Sequence, residues 1–187
     1  MARNTLYRTM HDMGLAAWFG GSLMGAVGLN AAAGAVDDPA QRGRVVNEGW
    51  DRWTPLNAGA IGAHLLGGAA ILLANRKRIG SQKGVAGMTA VKTVMTGAAL
   101  GVTAYSRILG RKVASQKDMP IGSGTQPISQ TPDDVAKAQQ QLKALQWAVP
   151  ATTAVILAVN AYAGEQQRPS EVGRGMRDRA RQLTHTG

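Results

Sequence analysis

Three residues in this 187-residue chain combine reactive type with unusual surroundings: His11, His64 and Lys92. Each lies in, or at the edge of, a long apolar stretch. A neutral imidazole there can offer one ring nitrogen to haem iron or to copper, or it can hydrogen-bond across a helix pair. An ammonium inside a membrane costs about 2.5–3.5 kcal/mol at mid-bilayer, so it marks a functional position by default. A lysine near the surface escapes that cost by extending its stem to the headgroups. Lys92 is seven residues into its apolar stretch, about 10 Å along a helix, so both accounts apply to it. His11 and Asp12 open the first stretch, where Asp12 can pair with Lys92. His11, His64 and Lys92 are therefore the candidate cofactor-binding set, with haem and copper both open as the group an imidazole there could take.

Other chemistries find no footing. The chain has no Cys, which rules out disulfides, thiolate metal sites and a cysteine nucleophile. No phosphate-binding glycine loop, nucleophile elbow or zincin motif occurs. Two histidines in the apolar stretches, with a third, His185, in the tail, do not make a metal site. Met10, Met13, Met24, Met88 and Met95 are soft ligands that would suit a copper permease, although methionine in apolar helices is usually packing.

The elements that must hold these residues are helices in lipid. Met13 to Val36 is 24 residues without a charged side chain. About 20 apolar residues cross a hydrocarbon layer about 30 Å thick. A signal-peptide core would be shorter, and comparable stretches occur later in the chain, so the first is read as a retained span. The expected architecture is an all-α integral membrane four-helix bundle. Its spans are about 13–36, 55–74, 85–109 and 147–164, flanked by a tail at 1–12 and a basic tail at 165–187. Pro55 suits the first turn of span two. In the long connection 110–146, Thr131-Pro132-Asp133-Asp134 reads as a helix start. Val135, Ala138, Leu142 and Leu145 continue from it as an apolar stripe, which predicts an amphipathic helix on the membrane surface that bends into span four at Pro150. The mean hydropathy of -0.12 is low for such a protein; the polar connection, the basic tail and the Ala/Gly-rich spans account for it.

Charge sets the orientation. The formal charge is +10. In a soluble protein that would suggest nucleic acid. Here the positive residues fall between apolar stretches, which points to an anionic lipid bilayer as the partner and not to nucleic acid. The N-terminal tail, the 75–84 turn and the C-terminal tail hold two, four and five Lys and Arg, against three in the 37–54 link and six in the long connection counted from Arg107, several of which lie far from a span. Both termini are therefore expected in the cytoplasm, in a multi-pass plasma-membrane protein. Trp50, Trp53 and Trp147 then fall at the outer interface, where indoles prefer to sit.

Gly21-xxx-Gly25 and Gly97-xxx-Gly101 place small residues at helix-packing spacing. They serve either a homodimer or packing within one bundle; the second is simpler, because every span needs partners. Their recurrence in spans one and three, with Pro55 and Pro150 near the starts of spans two and four, hints at a parallel internal repeat.

With these residues placed, the chain resembles a superfamily of four-helix bacterial membrane proteins that includes CopD-type copper-resistance proteins and HemJ-type protoporphyrinogen oxidase. His11, Trp18, Gly20 and Gly21 match the opening of span one, Lys92 and Tyr105 match span three, and Pro150 matches span four. Ser106 stands where the pattern has a histidine, and Trp147-Ala148-Val149 replaces a polar pair. The resemblance implies a membrane bundle and, through its HemJ-type members, haem redox chemistry on a porphyrin. The residues alone imply an accessory or structural bundle without catalysis.

Overall fold

The computed structural model describes residues 4–81, 83–115 and 119–165, with backbone alone for 77–81, 83–86 and 165. The arginines of the C-terminal tail, His185 and the side chains of the basic turn after Arg76 lie outside the described residues. Four long helices make up the described chain. The first, α1, covers Thr5–Ala35: α-helical to Met24, a π-turn over Gly25–Leu29, a short α-helical piece over Asn30–Ala32 and a 3-10 turn over Ala33–Ala35. The others are α2 (Pro39–Ser81), α3 (Lys83–Ala114) and α4 (Asp133–Glu165). By length and composition three segments can cross a membrane: Thr5–Ala35, Pro39–Arg76 and Asp133–Gly164. The described part of α3 does not reach that apolarity, because Lys92 and Arg107 interrupt it along with several threonines.

The polar 37–54 segment, expected as a link, is mostly helix. Asp38 starts α2: its Oδ1 accepts from the Ala40 N–H at 2.9 Å, and Pro39 takes the first helical position, where a missing N–H costs nothing. Pro55 is consequently deep inside α2, not at its start. Just before it, the Thr54 hydroxyl donates to the Trp50 carbonyl at 2.7 Å. At 43 residues α2 is about 65 Å long, roughly twice a hydrocarbon layer, so its first turns project beyond any span.

The stretch 133–146 is likewise not a separate surface helix. It forms the first turns of α4, which continues unbroken through Pro150. Its stripe faces protein: Val135 and Ala138 are buried with Leu109 and Val113 of α3, and Leu142 and Leu145 pack on them. An apolar stripe has the same period whether lipid or a neighbouring helix covers it. Thr131 does not cap α4. Its hydroxyl accepts from the Ile128 N–H at 2.9 Å and donates to the Pro120 carbonyl at 3.0 Å.

In place of a free loop, residues 119–132 are stitched onto one end of the bundle. The Ile121 N–H donates to the Pro39 carbonyl at 3.2 Å and the Gly124 N–H to the Asn30 carbonyl at 3.1 Å. Gln139 on α4 donates to the Ser123 carbonyl at 3.2 Å. Closely packed pairs are α1 with α2 and α3 with α4, with α1 also along α4; of the sequential neighbours, α2 and α3 touch only sparsely. Leu15 and Trp18 of α1, Ala99 of α3, and Val149 and Ile156 of α4 form the central core, with Ile61 of α2 against them.

Candidate functional site

Antiparallel pairing of α1 and α2 brings His11 and His64 face to face. Their ring centroids are 4.0 Å apart and the planes are 14° from parallel. Nδ1 of each ring lies 2.9 Å from the main-chain carbonyl of the other residue. A carbonyl can only accept, so each Nδ1 carries the proton and donates, which leaves each neutral ring's Nε2 as the acceptor.

Helix backbones must nearly touch for this exchange, and glycine allows it. A Cβ on Gly14 would lie 2.4 Å from the Ala60 carbonyl oxygen and 2.6 Å from the His64 nitrogen. On Gly67 it would lie 2.5 Å from the Tyr7 carbonyl oxygen and 2.6 Å from the His11 nitrogen. The two halves, His11-x-x-Gly14 and His64-x-x-Gly67, are thus related by a local two-fold axis through the crossing. His64 is 1 % exposed. Trp18 lies edge-on to its ring, with centroids 6.3 Å apart, and donates from Nε1 to the Thr103 hydroxyl of α3 at 3.1 Å. Lys92 is half-buried on α3. Of the three sequence-predicted residues, His11 and His64 are in contact, and Lys92 lies on a different helix, α3.

Further along the α1–α2 seam, the indoles of Trp53 and Trp50 fill the places that side chains on Gly21 and Gly25 would take. A Cβ at those glycines would come within 1.8 Å and 2.2 Å of the rings. Gly21-xxx-Gly25 therefore serves packing inside one chain. Gly97 and Gly101 have open space around them and seat nothing. The parallel repeat suggested by the two motifs does not extend to their packing. Two of the three indoles expected at an outer interface are turned into the bundle, while Trp147 is 50 % exposed. The π-turn at Gly25–Leu29 inserts one residue, which rotates the remainder of α1 by about 100°. Asn30 next to it is buried: its Oδ1 accepts from Trp50 Nε1 at 3.0 Å and its Nδ2 donates to Gln146 Oε1 at 3.0 Å.

Where α2 and α3 separate, a cavity of about 360 Å³ opens. Ile61, Leu100, Ala104 and Val149 contribute apolar wall, and Asn57 and Arg107 contribute polar groups. Arg107 reaches Asp51 at 3.2 Å, joining α3 to α2. Asn57 Oδ1 and Arg107 Nε are buried without a hydrogen-bond partner.

No family model, no curated protein and no solved structure matches this chain. Its own geometry therefore carries the functional reading. The sequence singled out both histidines but not the glycines that let them meet, although the doubled His-x-x-Gly spacing is a signal that could have found them. The sequence gives no signal that singles out Asn57 or Arg107, because a lone polar residue in a helix shows no partner until the neighbouring helix is placed.

Proposed function

We propose that the chain is a four-span integral protein of the bacterial plasma membrane with both ends cytoplasmic, acting as a structural or accessory bundle without catalysis. In this reading α3 is the remaining span, with Lys92 shallow enough to reach the cytoplasmic headgroups. The observation that carries the accessory role is the commitment of His11 and His64 to each other: stacked rings, both Nδ1 donors on the partner's backbone, and backbones in contact through Gly14 and Gly67. Such small-residue contacts and cross-helix hydrogen bonds are what associate helices in lipid, where apolar burial between them gains little.

Haem ligated by both histidines does not fit this arrangement. Rings stacked 4.0 Å apart leave no gap for a macrocycle between them. Among the described residues there is no group of three His, Asp or Glu placed to hold a metal.

The protein should resist extraction from membranes by alkaline carbonate. Because the chain lacks Cys, Gln41→Cys provides a unique thiol before span two, which a membrane-impermeant maleimide should label in intact cells. Release by carbonate, or labelling only after lysis, would overturn the membrane reading or its orientation respectively. After haem supply the purified protein should show no Soret band; a band lost on His11→Ala would replace the accessory role with a haem one.

A further inference from the structure

We infer that the His11–His64 crossing is a proton-operated latch on the cytoplasmic end of the α1–α2 pair: it stays shut with no proton or one on its two Nε2 atoms, and opens when both are protonated. The geometry limits what a proton can do here. Each ring spends Nδ1 on the other residue's carbonyl, at 2.9 Å, so an incoming proton has only Nε2 to bind. Neither Nε2 makes a hydrogen bond among the described residues. One imidazolium over a neutral ring leaves the stack and both Nδ1 bonds in place. Two imidazoliums with centroids 4.0 Å apart repel. At an effective dielectric constant of about 20, that repulsion makes the doubly charged shut state about a thousandfold rarer than two independent rings would allow. His64 is 1 % exposed, so its side of the pair is shielded from the water that would screen the charge.

The side chains around the crossing do not offset a second cation. On α1, residues 9–36 carry only Asp12, with Arg8 three residues before His11. On α2 no charge occurs between Arg52 and Arg76, on α3 only Lys92 between Lys83 and Arg107, and on α4 none between Lys143 and Glu165. The phenols on these helices, Tyr7, Tyr105 and Tyr162, stay neutral where imidazoles titrate. One carboxylate therefore stands against two cations, a counter-charge for one imidazolium and not for two. The open form wets both rings and binds up to two protons, whereas the shut form binds at most one. A fall in pH therefore favours the open form, and each opening takes up about one proton. Farther along the seam Trp53 packs over Gly21 and Trp50 over Gly25, contacts of carbon on carbon that a proton leaves unchanged. Opening is thus confined to the end where Gly14 and Gly67 now touch backbone. The latch rests on the structural role proposed for this crossing, and on the proposed orientation for the side it faces.

The test uses the full chain in lipid nanodiscs. Because it lacks Cys, Leu6→Cys and Leu73→Cys place a spin-label pair at exposed positions of α1 and α2 at that end. Dipolar EPR should show one distance at about pH 8 and a second, longer one that grows as the pH falls to about 5. The ratio of long to short should rise about tenfold per pH unit at its steepest. Val27→Cys and Val45→Cys, exposed at the other end of the seam, should keep one distance throughout. His11→Asn and His64→Asn each retain a donor in place of Nδ1 and take no proton, so either should hold the first pair at its starting distance. Asp12→Asn, which leaves both rings in place, should move the midpoint to higher pH; an unmoved midpoint would overturn the one-proton limit of the shut form. A first-pair distance indifferent to pH would overturn the latch. So would an equal response in His11→Asn or His64→Asn, which would assign it to other groups, and lengthening of both label pairs, which would make it acid unfolding. Carbonate release with the pH response intact would sink the membrane reading alone; membrane retention without a pH response would sink the latch alone.

Discussion

The two seams along α2 are built from opposite materials. On one side, α1 closes against it through four glycines: Gly14 and Gly67 admit backbone, Gly21 and Gly25 admit indoles. On the other, α3 stands off, its own glycine pair Gly97 and Gly101 faces open space, and the one ion pair between α2 and α3 among the described residues is Arg107–Asp51. The same four-residue glycine spacing occurs in α1 and α3, yet it packs in one and not in the other. A small residue permits close approach; the partner must supply something that uses the room. Trp53 and Trp50 do so for α1, and the described residues supply no counterpart for α3.

This contrast can be broken or sharpened by substitution, read out as equilibrium unfolding of the detergent-solubilised protein. Trp53→Ala should have the largest effect, a loss of about 3–5 kcal/mol, because the indole leaves a void over Gly21 that a helix pair cannot close. Gly14→Ala should cost about 2–3 kcal/mol. Its new Cβ meets main-chain atoms of Ala60 and His64, which can yield only if the helices separate.

The histidine pair allows a finer test. Each ring bonds to the other's backbone, so His11→Ala leaves the His64 hydrogen bond in place, and the converse holds. Each single substitution should cost about 1–2 kcal/mol. The double-mutant cycle should return a coupling of about 1 kcal/mol, the stacking alone. A coupling near zero would mean that the rings contribute separately to the crossing. At the small end, Gly97→Ala and Gly101→Ala should change stability by no more than about 1 kcal/mol, in the stabilising direction, since alanine favours helix and nothing obstructs it. Cross-linking of the same variants in membranes tests the dimer reading of that motif: loss of a cross-linked dimer would show that a second copy covers this face.

Much of the fold is legible in the residues themselves. The uncharged run from Met13 to Val36 predicts a long helix, and Thr131-Pro132-Asp133-Asp134 predicts where α4 begins; both helices are present. The length of α2 is less legible. Its polar first third looks like a link because a span is recognised by apolarity, whereas a helix needs only backbone hydrogen bonds and tolerates charge, as Glu48 and Arg52 show by pairing along it at 2.6 Å. The stripe on α4 is visible in the sequence but its partner is not, so an interior face passes for a lipid-facing one.

The candidate site divides in the same way. Residue type marks His11, His64 and Lys92, since an imidazole or ammonium amid apolar residues is conspicuous in any sequence. That the two rings meet face to face, and spend their donors on each other's backbone, depends on a register between residues 53 positions apart. Periodicity and composition along one chain determined that this protein is helical and where its apolar faces run. Only the packing of helices decided which glycines are filled, which donors are answered and where space is left open, because those depend on distances between remote segments of the chain that local pattern does not encode.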